Sequence, residues 1–375
     1  MKLKPSLFTA VVVLFTSALA FGAYFQSFET DTAGWTNAMR VPTGTDGVPS
    51  RTGAFHAEDL NGRAFTFWGG ASKTFPPGGY TTTVDVYLDI LPPYMTGSVM
   101  PYPNDTRFDW TSAIYTPGCA HRRDFVFNAG FYTDVDTTGA GPRFVISASN
   151  NAGRANSFPK NPQRDPFTIS VEGWYIFEHR FYAVPPTPGG ALHVDLTIRN
   201  TAGVPLHTWT LSTPSDIIGT TVGGNGYGWF AQNEFPAGLA FDTSALVGYQ
   251  DYCAPPASTE GAKVTGGGWI AVPGGRANFG LTAQVKTSTP KGNLTYHDHP
   301  QGRDVKSTAI TSVVVSGTCA QIRGTARVND AGSFGFEVQV CDMGEPGRDS
   351  DTFSIFMSDG YTATGTLGGG NIQIH

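Results

Sequence analysis

The stretch Thr318 to Asp342, TCAQIRGTARVNDAGSFGFEVQVCD, holds two β-runs around Asn329-Asp330-Ala331-Gly332. Asn, Asp and Gly supply the backbone conformations that a tight reversal needs. Counting outward from the turn in simple antiparallel register brings Cys319 to within one residue of Cys341. A disulfide there staples a hairpin at the heart of a small all-β unit. The rest of the chain carries the same bias.

Charged residues make up 14% of the chain and aromatics 13%, with 47 Gly and 26 Pro. Few charges, many rings and many turn formers describe a β-rich exported protein rather than a helical enzyme core. The formal net charge is −6, and no basic cluster exceeds His121-Arg122-Arg123. That argues against nucleic acid and anionic lipid as partners. Residues 1–20 read as a secretory signal: Lys2 and Lys4, the apolar run Leu7 to Leu19, then Ala18-Leu19-Ala20. The apolar run is short for a membrane span and no later segment qualifies, so the mature chain is expected to lack a transmembrane segment. An even count of four cysteines suits an oxidising compartment. Of the three possible pairings, Cys319–Cys341 and Cys119–Cys253 are favoured, because the first is local to one hairpin and the second then stays within the N-terminal region.

Tyr80 to Ile90 alternates strictly, with Val84, Val86, Leu88 and Ile90 on one face and Asp85, Tyr87 and Asp89 on the other. Leu192 to Arg199 does the same, turning His193, Asp195, Thr197 and Arg199 outward. About eleven strands and no amphipathic helix are expected before residue 252. The fold class is all-β, as two β-sandwich domains: a jelly-roll-like one over residues 24–252 and a smaller, Greek-key-like one over 263–375. Cys253 to Ala262, rich in Pro and Ala, reads as a linker. The loops 91–110 and 150–166 are long enough to be functional or mobile.

The second domain carries an ordered set of short motifs: Gly266-Gly-Gly-Trp-Ile270, Gly292-Asn-Leu-Thr-Tyr-His-Asp-His299, Gly344-Glu-Pro-Gly347, Asp351-Thr-Phe-Ser-Ile355 and Gly368-Gly-Gly-Asn-Ile-Gln-Ile374. Over about 110 residues it resembles the post-COAP-1 module found at the C-termini of secreted bacterial proteins. The resemblance implies an accessory module on an exported bacterial protein and brings no catalytic residues with it. The first domain is similar to lectin and carbohydrate-binding jelly rolls only in general pattern.

Several constellations could carry chemistry. His297-Asp298-His299 places two imidazoles on one strand face about 6–7 Å apart, close enough to share a metal. The run resembles the His-x-His-x-x-Gly piece of copper superoxide dismutases, with His375 as a further candidate ligand. Asp342, Glu345, Asp349 and Asp351 gather oxygen ligands in one turn region, and Asp134-Val-Asp136-Thr-Thr-Gly139 has the opening of a calcium loop. No cofactor is assigned on these residues; calcium is the first candidate they offer, with copper as the alternative. Asp85 and Asp89 resemble the strand carboxylates of sandwich glycosidases, although aspartates at i and i+4 start roughly 13 Å apart. Trp68, Tyr87, Tyr94, Trp110, Tyr115, Tyr227 and Trp229 are candidate exposed rings, suited to stacking on sugars.

The leading expectation is a secreted or cell-envelope, non-catalytic binding protein. Its target is a glycan or envelope polymer, or other envelope proteins. Tyr87, His193, Asp195, Arg199 and Trp229 would make the contacts, with no catalytic residue assigned. The alternatives are a copper-dependent, dismutase-like redox enzyme on His297 and His299, a glycoside hydrolase on Asp85 and Asp89, and a structural envelope component.

Overall fold

A computed structural model describes residues 24–59, 63–90, 102–150, 159–186, 189–235, 238–248, 251–253, 258–287, 289–359 and 361–375. The signal-like residues 1–20, Tyr94 and the centre of the linker lie outside the described residues, as do much of the two long loops. Among the described residues the chain is β throughout, interrupted by short 3-10 turns at Thr45–Gly47 and Pro162–Arg164. The expected all-β class holds.

Strands up to Leu239–Val247 form two antiparallel sheets. One runs Pro205–Ile217, Ala191–Arg199, Gly173–Val184, Tyr80–Leu88, Leu239–Val247, Phe55–Asp59, Met39–Pro42, with Tyr24–Gln26 also paired to Leu239–Val247. The other runs Phe167–Ile169, Arg143–Asn150, His121–Tyr132, Thr106–Tyr115, Asn225–Ala231, Phe65–Thr66, Trp35–Thr36. The alternation read from sequence decides which face is dry. Val84, Val86, Leu88, Leu192, Val194, Leu196 and Ile198 are all buried in one core with Phe108, Phe127 and Phe177.

Trp68 and Trp110 belong to that core as well and are fully buried, contrary to the expectation of exposed rings. Trp110 shares the inward parity of Phe108, whereas Trp68 turns inward through a left-handed backbone (φ 58). Gly228 makes room for both: a Cβ there would lie 2.5 Å from the Trp68 ring and 2.7 Å from that of Trp110.

The C-terminal strands close into an eight-stranded barrel: Lys263–Val272, Gly275–Val285, Pro290–Asp298, Arg303–Ser316, Cys319–Val328, Ala331–Cys341, Thr352–Met357 and Thr362–Ile374, with the last paired to the first. Every strand pairs with its neighbours in sequence, so the order is up-and-down and not the expected Greek key. Reversals as tight as Val272 to Gly275 leave a strand no partner but the one it has just left.

Both favoured disulfides form, Cys119–Cys253 and Cys319–Cys341. Cys319 is the register partner of Cys341, while Val328 pairs with Ala331. The turn is thus the two residues Asn329-Asp330, both with positive φ (51 and 61), tighter than the four-residue turn read from sequence. A bulge between Ala326 and Val328 takes up the one-residue difference and restores the cysteines to opposition.

The barrel meets the sandwich through a buried polar cluster. Tyr252, bridged to Ser72, lies against Gly70, where a Cβ would come within 2.1 Å of its ring. The Arg323 guanidinium sits 3.8 Å over that ring and its Nε donates to Glu337 at 3.0 Å, with Glu337 fully buried.

Candidate functional site

The outer face of the eight-stranded sheet gathers four of the five expected contact residues. Register places Tyr87 beside Trp174, Asp195 beside Arg180 and His193 beside Tyr182. The rings of Tyr87 and Trp174 meet edge to face at 5.3 Å, and those of Tyr182 and His193 lie 5.8 Å apart. Between these aromatic ends the strand Gly173–Val184 runs eight residues, about 26 Å at the usual strand rise. The intervening surface is polar and ordered. Arg199 forks onto Glu178 with bonds of 3.0 and 2.7 Å, and Asp195 accepts from Tyr182 at 3.1 Å and Thr210 at 2.7 Å. Arg180 is exposed, and its guanidinium lies 5.0 Å from the Tyr182 ring.

Toward the Tyr87 end, the loop between Met39–Pro42 and Phe55–Asp59 folds over this face. The Trp174 indole donates to the Pro49 carbonyl at 2.8 Å, and the Arg51 and Thr52 amides donate to Asp242 at 2.8 and 3.1 Å. Beneath the loop lies an unusual concentration of carboxyl groups. Asp85 and Asp242 are buried, and Arg51 Nε reaches Asp85 at 3.3 Å. Burial pushes Asp85 up to about 7, against the pull of Arg51, and raises Asp242 to about 6 against three backbone amides. Glu58 is only 4% exposed and lines a small cavity with Asp46, Asp89, Tyr87 and Tyr102. Burial and then the charge of Asp46 raise Glu58 to about 7. Burial and then Glu172 do the same for Asp89, partly offset by the Tyr102 hydroxyl at 3.3 Å. His56, fully buried beside Glu58, is held below its ordinary range by burial. Perturbed titratable groups gathered at one surface are a general mark of a functional site.

Asp85 and Asp89 nevertheless do not work as a pair. Asp89 faces the cavity, while Asp85 is tied to Arg51 under the loop. Four residues of extended strand hold them apart, as the spacing implies.

Other expected sites are arranged differently. Trp229 lies in the seven-stranded sheet beside Phe65, away from the other four contact residues. There it belongs to a second aromatic patch, in which Phe65 meets Phe67 at 4.7 Å and Tyr227 at 5.2 Å, with Phe67 46% exposed. Tyr115 and His121 extend that patch around Tyr227.

His297 and His299 do come together, with ring centroids 4.5 Å apart and Asp304 3.9 Å from His297. His375 cannot join them. His297 pairs with Asn278 at the Trp269 level of the barrel, whereas His375 follows the far end of the last strand, bonded to Lys263.

The acidic turn is a backbone clamp, not a ligand shell. Asp351 accepts from the Met343 and Ile372 amides, Asp342 from the Ile374 amide, and Glu345 from Asn371 and Gln373. Asp349 is exposed beside Arg348. In the calcium-like loop, Lys160 and Arg143 already stand against both Asp134 and Asp136, with Lys160 Nζ at 2.8 and 2.6 Å. Those carboxylates have their cations. Among the described residues, no three His, Cys, Asp or Glu side chains converge as a metal-holding group.

Sequence reasoning missed Trp174, Tyr182, Glu58, His56 and Asp242. The alternation of Gly173 to Val184 carries the first two, but Phe55–Asp59, with His56, Glu58 and Asp59 buried, has no apolar period to read.

No family model matches the chain, and no curated protein matches it. Among solved structures, the chain is similar to the CBM2 module of the evolved Dit of Lactobacillus casei BL23 phage J-1, at 8% identity and a TM-score of 0.32. The match covers 60% of this chain and 94% of that one. At that level the likeness carries no argument about function.

Proposed function

We propose that the protein is a secreted or cell-envelope glycan-binding protein whose contact surface is the outer face of the eight-stranded sheet. One observation carries this reading: Tyr87 with Trp174 and Tyr182 with His193 stand at two ends of a partly exposed strand face, with ordered ion pairs and hydroxyls between them. Rings offer their faces to the apolar faces of sugars, and the groups between offer the hydrogen bonds that fix register. Two disulfides suit the oxidising setting in which an envelope or extracellular polymer would be met. The barrel is read as an accessory module, on its resemblance to the post-COAP-1 type.

Retention of the purified chain on insoluble polysaccharides tests the proposal. Tyr182→Ala and His193→Ala are expected to weaken retention about tenfold each without lowering the melting temperature by more than a few degrees. Retention unchanged in both would remove this face from consideration.

A further inference from the structure

We infer that the cleft between the sandwich and the barrel receives a sugar carrying a carboxylate, so that the bound glycan contains uronic acid units and Arg180 is their counter-ion. This rests on the glycan reading and deepens it. The cleft holds about 290 Å³. That is near the lower end of the ~300–1,000 Å³ usual for small-molecule sites, which recur where two structural units meet. Its walls come from both units: Thr81, Arg180 and Val247 from the eight-stranded sheet, Phe356 and Thr362 from the last two barrel strands.

The sheet leads the proposed contact face into this cleft. Val247, Thr81, Arg180, Asp195 and Thr210 are successive register partners across five strands. Asp195 and Thr210 belong to the contact face, and Tyr182 lies two residues beyond Arg180 on the same side of its strand. A sugar lying on Tyr182 therefore has the cleft as its next neighbour.

Arg180 is the charged group of the cleft whose bonding capacity is unspent. Its side chain is 61% exposed, and its guanidinium makes no hydrogen bond among the described residues. Asp195, its cross-strand partner, lies 3.9 Å from Nη1, beyond bonding distance, and already accepts from Tyr182 and Thr210. Arg199 on the same face differs, since both of its bonds to Glu178 are made. A guanidinium presents its donors as a planar fork that matches the two oxygens of a carboxylate. At 5.0 Å from the Tyr182 ring, that fork stands beside the surface on which a sugar would stack.

The other walls supply what a pyranose also needs. Phe356 alternates with the barrel-core residues Ile355 and Met357, so it points out of the barrel, yet it is only 4% exposed and lines the cleft. Val247 faces the same space from the sheet and is 37% exposed. The Thr81 and Thr362 hydroxyls make no hydrogen bond among the described residues, and both line the cleft. Apolar walls with a few placed polar groups are the usual composition of a ligand site. The net charge of −6 disfavours indiscriminate attraction of polyanions, which makes the preference local to Arg180.

The test is calorimetric titration of the full chain at pH 7 with hexasaccharides of galacturonate and of mannuronate, each beside its carboxyl-reduced, neutral counterpart. At least one uronate is expected to bind tenfold or more tightly than its neutral form. Arg180→Gln is expected to abolish that difference, and Arg180→Lys to keep only part of it. Thr362→Val, on the barrel wall, is expected to weaken uronate binding at least threefold, while Arg348→Gln, elsewhere on the barrel, leaves it unchanged. Equal affinity for acidic and neutral forms, or a difference that survives Arg180→Gln, overturns the inference. So does an unchanged affinity in Thr362→Val, or a loss in Arg348→Gln as large as in Arg180→Gln. Binding of the neutral hexasaccharides alone, or of other neutral polysaccharides, overturns it too but leaves the glycan reading standing. Failure to bind any polysaccharide removes both.

Discussion

Glu58 and His56 sit side by side on one strand, and burial acts on them in opposite directions. Glu58 is raised from 4.5 to about 7. Between those values the folded chain keeps the proton and the unfolded chain has lost it, so stability falls as pH rises from about 4 to about 7 and stays lowered above. Asp85 and Asp242 push the same way. His56 and the fully buried His179, lowered to about 3, oppose them: their part of the stability is lost as pH falls below the unfolded histidine range near ~6.5. Subtracting the parent isolates the carboxyl. Glu58→Gln is expected to match the parent at pH 4 and to exceed it at pH 8 by up to about 3 kcal/mol, at ~1.4 kcal/mol per unit. Thermal melts at the two pH values check this; an equal difference at both would contradict it.

The hairpin Cys319–Val328 and Ala331–Cys341 shows what an element owes to its turn. Asn329 and Asp330 both take positive φ, and Gly tolerates that conformation without the penalty that Asp pays. Asp330→Gly is expected to stabilise the barrel by about 0.5–1 kcal/mol in denaturant titration. The exposed contact that Asp330 makes with Lys306 is too weak to outweigh the gain. A loss of stability would mean that the Lys306 contact matters more than exposed pairs generally do. Replacing Cys319 and Cys341 together with Ser is expected to cost roughly 3 kcal/mol, since the closed loop spans 22 residues.

This element was also largely legible in advance, because cysteine spacing and the turn residues act locally. The bulge that reconciles them was not, since it arises from the mismatch between a two-residue turn and the strand register. The same division holds on the sandwich. Val84 to Leu88 and Leu192 to Ile198 announced their faces by alternation, and with them the outward positions of Tyr87, His193, Asp195 and Arg199. Nothing local marked Glu58, which becomes a site residue only because Tyr87, Asp89 and Tyr102 come to the same cavity from other parts of the chain. Trp229 misled for the converse reason: a candidate exposed ring does not say which sheet its strand joins.

At the scale of the whole molecule, Arg323 couples barrel to sandwich. Burial raises Glu337 while the Arg323 charge holds it down, and the guanidinium rests on Tyr252 from the other unit. Removing one member leaves a buried charge alone, so Arg323→Ala is expected to cost about 3–5 kcal/mol. Arg323→Met with Glu337→Leu is expected to recover most of that. Urea titration of the three proteins decides the matter; a double variant no better than the single would show that the cluster acts through geometry and not charge.

The most direct measurement is co-sedimentation of the chain lacking residues 1–20 with a panel of insoluble glucans, chitin, chitosan and cell walls, run beside a Trp174→Ala/Tyr182→Ala variant. The account predicts retention on at least one of these polymers and loss of at least nine-tenths of it in the folded variant. Retention on none of them, or equal retention of both proteins, would contradict it.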